Sequence, residues 1–333
     1  MIELYPLLMQ PRFDPRPWGT YDLAPIYSRR FEEKIGESWL TGDYSKVENG
    51  PLRGQSLSDL ALRYQRQLVG EAAPDPDRFP LLAKFLFPHE KLSVQVHPDD
   101  EDARALGQPW GKTECWYVAE ARPGAEIGLG LKPGITRTEF ARAVHENRAE
   151  ELLNWVKVSA GEMFYVAGGT VHTLGPGSII VETQQQSDTT FRLYDYGRRR
   201  ELHLEDGLRV IKERRASGKV RPQPFRKLGQ NGNRVEPLVA SPYFAVEKFV
   251  LHDAQTFDLR DRVKSSAEIL VAVRGSAVVE SERHPPVELA RGEAVVVPAS
   301  IREFRLRPRM EAEFLKSCVP GDRLPSPEVL WNS

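Results

Sequence analysis

The chain has 333 residues, with 46 lysines and arginines against 47 aspartates and glutamates, a formal net charge of −1, 40% hydrophobic and 28% charged residues. This balance describes a globular chain long enough for two domains, and it excludes disorder and an electrostatic footprint for nucleic acid or anionic membranes. Cys115 and Cys318 are too few for a disulfide framework, the N-terminal MIELYPLLMQPRFDPRPWG lacks an export signal, and no apolar run approaches the ~20 residues of a spanning helix, so a reducing, cytoplasmic setting is expected.

In chain order, Ser56 to Val69 spaces Leu57, Leu60, Leu62 and Leu68 at helical intervals among polar residues. Lys91 to His97, KLSVQVH, alternates with period two. Ser93, Gln95 and His97 therefore share one strand face, and Leu92, Val94 and Val96 form the apolar other. Glu114 opens a second strand, Glu114 to Val118. Thr136 and Glu139 form a capping-box signature before FARAVHENRAEELLNWV, which predicts a helical insertion. In GEMFYVAGGTVHTLG, Phe164 to Val166 predict a strand and Gly168 with Gly169 a tight turn before His172. The run Arg198, Arg199, Arg200 reads as a solvated face. Leu204 to Arg214 predicts a third amphipathic helix, and the Gly-, Pro- and Arg-rich stretch after it marks a boundary near 215 to 235. Beyond it, short β-rich runs separated by turns predict a small antiparallel barrel or jelly roll.

An internal repeat relates the two halves. GEMFYVAGGTVH from Gly161 aligns without gaps on GEAVVVPASIRE from Gly292, and Glu114 of TECWYV aligns with Glu268 of AEILVA. The first Glu-to-Gly interval is 47 residues and the second 24, a difference of 23 that matches the helical insertion. Where the first copy has His172 the second has Glu303, and no counterpart to Gln95-x-His97 is legible. The expected architecture is mainly β, two duplicated jelly-roll barrels with helical insertions in the N-terminal half. Residues 1–225 would form a metal-binding catalytic domain and 226–333 a barrel without metal ligands.

Two imidazoles, a carboxylate and an amide oxygen suit a divalent, zinc-like ion with a position left open for water or substrate oxygen, as catalytic sites require. Gln95, His97, Glu114 and His172 are that set. His89, His145, His203, His252 and His284 read as ordinary surface or packing histidines.

The turn before His172 is similar to the second cupin motif, with Ala167 at its usual proline. More specifically, LSVQVHPDD, GKTECWYV, GGTVHTLGPG and IIVETQQQSDTTFRLYDYGR resemble type I mannose-6-phosphate isomerases of the short bacterial kind, from about Trp18 to Arg198 and more loosely beyond. The resemblance implies one Zn2+ held by Gln95, His97, Glu114 and His172. It also implies site roles for Lys84, Lys112, Glu182, Asp188 and Arg192, and a place near the pocket for Trp18. The implied chemistry moves a proton between C2 and C1 of an open-chain hexose phosphate through an enediol, with charge developing on oxygen. Arg192 would stabilise that charge or contact the phosphate, and Ser93 and Lys84 are candidates for the phosphate. Lys112 and Glu182 are the two candidates for the base: an ammonium desolvated beside a cation releases its proton more readily, and a carboxylate is the conventional choice.

Each role has a plainer counterpart. Lys84 can be a surface charge, Arg192 and Asp188 a structural ion pair, and Trp18 packing. An iron dioxygenase, which usually needs only two histidines and one carboxylate, is one alternative function; a non-catalytic sugar-binding barrel is the other. The expected partner is a phosphorylated hexose, and the chain is expected to be a monomer or weak homo-oligomer.

Overall fold

Strands with apolar residues on both faces must be covered on both sides, and that requirement organises the whole chain. The computed structural model describes residues 2–213, 216–322 and 324–330. Its first half contains β1 (Leu7–Met9), β2 (Arg12–Asp22), β3 (Arg30–Trp39), β4 (Leu81–Leu86), β5 (Val94–Val96), β6 (Glu114–Ala121), β7 (Glu126–Leu131), β8 (Leu153–Lys157), β9 (Met163–Val166), β10 (His172–Leu174), β11 (Ser178–Gln185), β12 (Phe191–Tyr194) and β13 (Gly218–Val220). The second half contains β14 (Arg226–Lys227), β15 (Arg234–Ala240), β16 (Ala245–Leu251), β17 (Gln255–Asp258), β18 (Glu268–Arg274), β19 (Ala277–Ser281), β20 (His284–Leu289), β21 (Ala294–Val297), β22 (Glu303–Pro308), β23 (Ala312–Cys318) and β24 (Val329–Leu330).

The first half builds an eight-stranded sheet, β2-β3-β4-β11-β6-β9-β13-β24, facing a five-stranded one, β12-β5-β10-β7-β8. The second half repeats the plan with β1-β21-β18-β23-β16-β15-β14 and β17-β22-β19-β20. The fold is mainly β, as predicted. The chain ends are exchanged: β1 pairs with β21 of the second half, and β24 pairs with β13 of the first.

Alternation along single strands assigns the cores. Trp116 and Val118 of β6 join Ile127, Leu129 and Leu174 between the two sheets of the first half. Their neighbours Cys115 and Tyr117 join Ile269, Val271 and Val296 between the two large sheets. β6 is thus apolar on both faces, and that arrangement glues the halves together.

The helices cover what the sheets leave open. The predicted Ser56–Val69 helix is capped by Ser56 but divided at Gln65 (φ 45) into α1 (Leu57–Tyr64) and α2 (Arg66–Val69). A six-residue α3 (Asp100–Ala105) follows β5. The Thr136–Glu139 capping box forms and starts α4 (Arg137–His145). The predicted insertion does not stay helical, because Leu153 and Val156 are drawn into cores as part of β8 on the edge of the five-stranded sheet. α5 (Leu204–Val210) is shorter than predicted, and its predicted end at Arg214 lies outside the described residues. Phe140 and Val144 of α4 and Val210 of α5 pack with Val94, Val96 and Leu193 on the outer face of the five-stranded sheet. Gln95 is thereby turned inward.

The repeat read from sequence recurs in strand register. Glu114 lies opposite Val166, five residues after Gly161, and Glu268 lies opposite Val297, five residues after Gly292. His172 faces Gln95 on β5, and Glu303 faces Asp258 on β17. β17 therefore supplies the counterpart that the sequence hides: Asp258 takes the place of Gln95 and Arg260, two residues on, that of His97. It is invisible in sequence because the residue types are not kept.

Candidate metal centre and its cavity

Three strands of the five-stranded sheet place Arg192, Gln95 and His172 side by side, since Arg192 pairs with Gln95 and Gln95 with His172. Opposite them, the eight-stranded sheet contributes Glu114 from β6, Glu182 from β11 and Lys84 from β4, with Glu182 in register with both Lys84 and Trp116. The predicted strand over Lys91–His97 is regular only over Val94–Val96, yet its alternation holds, and His172 opens β10 after the Gly169 turn (φ +86).

His97, Glu114 and His172 present one ligand atom each within 4.8 Å of one another, the one such buried trio among the described residues. His97 Nε2 is 3.6 Å from Glu114 Oε2, and His172 Nε2 is 3.4 Å from Glu114 Oε1. Each imidazole uses Nδ1 on a carbonyl, His97 on Thr189 (3.0 Å) and His172 on Thr170 (2.9 Å), so the Nε2 lone pairs face the centre. Burial, then the Lys112 charge, lowers both rings, His172 to about 4, which keeps them neutral as ligands must be. Gln95 stands 3.2 Å from His172 Nε2 through its amide nitrogen, and a half-turn of the amide exchanges nitrogen for oxygen.

The donor set fits a cation. Glu114 Oε1 is buried without a hydrogen-bond partner. Burial and the neighbouring Glu182 push the Glu114 carboxyl up to about 7 against the pull of Lys112. The Lys112 ammonium, the nearest positive charge, donates to Glu114 Oε2 at 2.5 Å and to His97 Nε2 at 2.8 Å. Alternation thus brings Lys112 and Glu114 to the same side, as predicted.

A cavity of about 460 Å3 opens from this centre and is lined by the predicted Trp18, Lys84, Ser93, Gln95, Lys112, His172, Glu182, Asp188 and Arg192. Lys84 is no surface lysine: it is 6% exposed, 3.2 Å from Glu182 and 3.5 Å from Glu37. Trp116 Nε1 donates to Glu182 Oε2 at 2.9 Å, and the other Glu182 oxygen, Oε1, is buried beside the Lys84 ammonium. Burial opposes ionisation of Glu182, but Lys84 and Lys112 outweigh it and lower the group. Glu114 and Glu182 thus diverge, one toward protonation and one toward charge. Trp18 is buried in the core between the sheets of the first half as well as lining the cavity. Arg192 donates Nη1 to Glu201 O, and its Nε is buried without a partner. It makes no ion pair with Asp188 among the described residues.

Sequence reasoning missed Glu37 and Arg16. Glu37 accepts from Arg16 Nε (3.0 Å) and Trp39 Nε1 (2.7 Å), and these partners with Lys84 hold its carboxyl at about 2 in spite of burial. The available signal is the alternation of Glu37 with Trp39 on one face of β3. It also misread the arginine run: Arg198 and Arg200 are half-buried and pinned on the buried Asp195, and Arg200 lines the cavity. Only Arg199 is exposed. A run of three like charges looks solvated unless the one carboxylate that organises it is recognised.

Residues 25–140 match the family model for the phosphomannose isomerase type I catalytic domain. The mannose-6-phosphate isomerase ManA of Bacillus subtilis (strain 168) is 42% identical over 317 residues, covering 90% of this chain and 95% of the relative. The mannose-6-phosphate isomerase of Streptococcus mutans is 33% identical over 90% of this chain and 94% of its own. The crystal structure of the mannose 6-phosphate isomerase from Bacillus subtilis superposes with a TM-score of 0.82 at 29% identity, covering 94% of this chain and 99% of that one. Fold and relatedness along nearly the whole length converge: the chain belongs to the type I phosphomannose isomerase family.

Proposed function

We propose that this protein is a zinc-dependent aldose–ketose isomerase that interconverts mannose 6-phosphate and fructose 6-phosphate through an enediol. The observation that carries this reading is the arrangement of a neutral two-histidine, one-carboxylate centre at the end of a cavity whose wall holds an ionised, buried Glu182 between two lysines. Gln95, His97, Glu114 and His172 would hold the ion. When bound, the ion supplies a fixed positive charge that favours developing negative charge on the sugar oxygens.

The residues of the chain do the rest. The C2 proton of the aldose moves to C1 while the proton of the C2 hydroxyl is transferred to the C1 oxygen, so the sugar is isomerised without gain or loss of atoms. Glu182 carries the C2 proton in this scheme, because its carboxylate is buried at the cavity wall and its ammonium neighbours keep it charged. Lys112, between Glu114 and Glu182, is placed to serve the oxygen-to-oxygen transfer. Lys84 balances Glu182 and Glu37, and Arg192 offers its guanidinium to the enediolate charge. Ser93, Trp18 and Asp188 contact the sugar. The deciding experiment is a coupled assay with mannose 6-phosphate: fructose 6-phosphate must form, a chelator must abolish the activity and zinc must restore it. Absence of conversion by the metal-loaded protein overturns the reading.

A further inference from the structure

The cavity has two electrostatic ends. Its deep end is internally neutralised, for Lys84 already lies between the Glu182 and Glu37 carboxylates and Lys112 lies on Glu114. Both ammoniums are also buried against those carboxylates, Lys84 6% and Lys112 3% exposed. The outer wall differs. Arg16 from β2 and Arg200 from the loop after β12 line the same cavity as Arg192, and their side chains remain 29% and 25% exposed. Asp195 takes Nε (2.8 Å) and Nη2 (2.6 Å) of Arg200 and leaves the Nη1 edge without a protein partner among the described residues. Arg192 feels both guanidiniums as like charges, in addition to its burial. Arg16 is braced by Glu37 (Nε, 3.0 Å) and Asp14 (Nη2, 2.8 Å) and Arg200 by Asp195, and the three guanidiniums around one mouth still repel one another until an anion is shared among them.

Resting on the isomerase reading, we infer that Arg200 and Arg16 form the phosphate clamp of the substrate site, with Lys84 serving the buried carboxylates instead. The substrate is then oriented by charge: phosphate at the outer guanidiniums, reacting carbons at the centre. Asp195 is a positioning residue that fixes the fork of Arg200, and Glu37 does the same for Arg16.

Inorganic phosphate is the probe, titrated into the metal-loaded protein by calorimetry and used as a competitive inhibitor of turnover. Arg200→Ala and Arg16→Ala are each expected to weaken phosphate binding and to raise KM for mannose 6-phosphate by about tenfold or more, with kcat within about threefold. Arg200→Lys should recover part of the loss. Thermal melting and metal content show that each variant is folded, and Arg200→Gln and Arg16→Gln replace any alanine variant that is not. Unchanged phosphate affinity and KM in folded variants overturn the clamp, as does a fall in kcat with KM unchanged. If the wild-type protein binds phosphate, loses it in the variants, and yet does not isomerise mannose 6-phosphate, the clamp stands and the isomerase reading falls.

Discussion

Lys84 on β4 and Glu182 on β11 lie directly opposite in register, and their charges meet at 3.2 Å in the buried wall of the site. In the second half the equivalent pair is Glu247 on β16 and Lys316 on β23, 2.9 Å apart with the charges exchanged. The first pair keeps a carboxylate at the site. The second presents an ammonium, which together with Arg262 neutralises the fully buried Glu268, the counterpart of Glu114. Side chains thus supply in the second half the positive charge around the buried carboxylate, where the first half brings two neutral histidines to Glu114.

His97→Ala and His172→Ala are expected to lose both bound metal and isomerase activity, since each removes one of the few converging neutral donors. Metal analysis of the purified variants, alongside the coupled assay, checks this; a variant that keeps its metal stoichiometry contradicts the ligand assignment.

Lys84→Met removes the largest influence that lowers the Glu182 pKa, leaving burial and the Glu37 charge to raise it. The acid limb of the kcat profile, where ionised Glu182 is required, should move to higher pH. Breaking the buried pair should also cost ~3–5 kcal/mol of stability. An unchanged acid limb in a folded variant removes Glu182 from the role of base.

Glu37 carries an acid-dependent share of stability. Its folded value of about 2 lies below the ordinary 4.5. The unfolded state therefore binds the proton more readily. The contribution is full above about 4.5 and is lost as pH falls toward 2, amounting to about 3 kcal/mol. Denaturant titrations from neutral pH down toward pH 2 should show Glu37→Gln less stable than wild type at neutral pH, with the difference shrinking as pH falls below about 4.5.

Lys316→Met leaves Glu268 with Arg262 alone and Glu247 without its buried partner. Unfolding should become easier by ~3–5 kcal/mol, while metal content and kcat of the folded protein stay at wild-type values. Loss of metal in that variant would mean that the second half takes part in metal binding.

Arg192→Ala is expected to lower kcat/KM by about 10²–10³, mainly through kcat, if its guanidinium meets charge that develops only during the reaction. A change confined to KM would assign it to ground-state binding.

The period-two pattern of KLSVQVH, the glycine turn before His172 and the Gly161–Gly292 repeat carried the β architecture and the convergence of Gln95, His97 and His172 on one site. These depend on backbone periodicity and turn chemistry, which are local and are written in neighbouring residues. Three things were decided only by packing across sheets. One is the burial of Lys84 between Glu37 and Glu182, whose strands are distant in sequence but adjacent in register. Another is the conversion of a solvated-looking arginine run into a pair braced on Asp195. The last is the presence of Asp258, Arg260 and Glu303 in the second half at the positions of Gln95, His97 and His172, where position is kept but chemistry is not. Charge pairing over long separations leaves no local signal, because either sign of a pair is acceptable so long as its partner arrives with the fold.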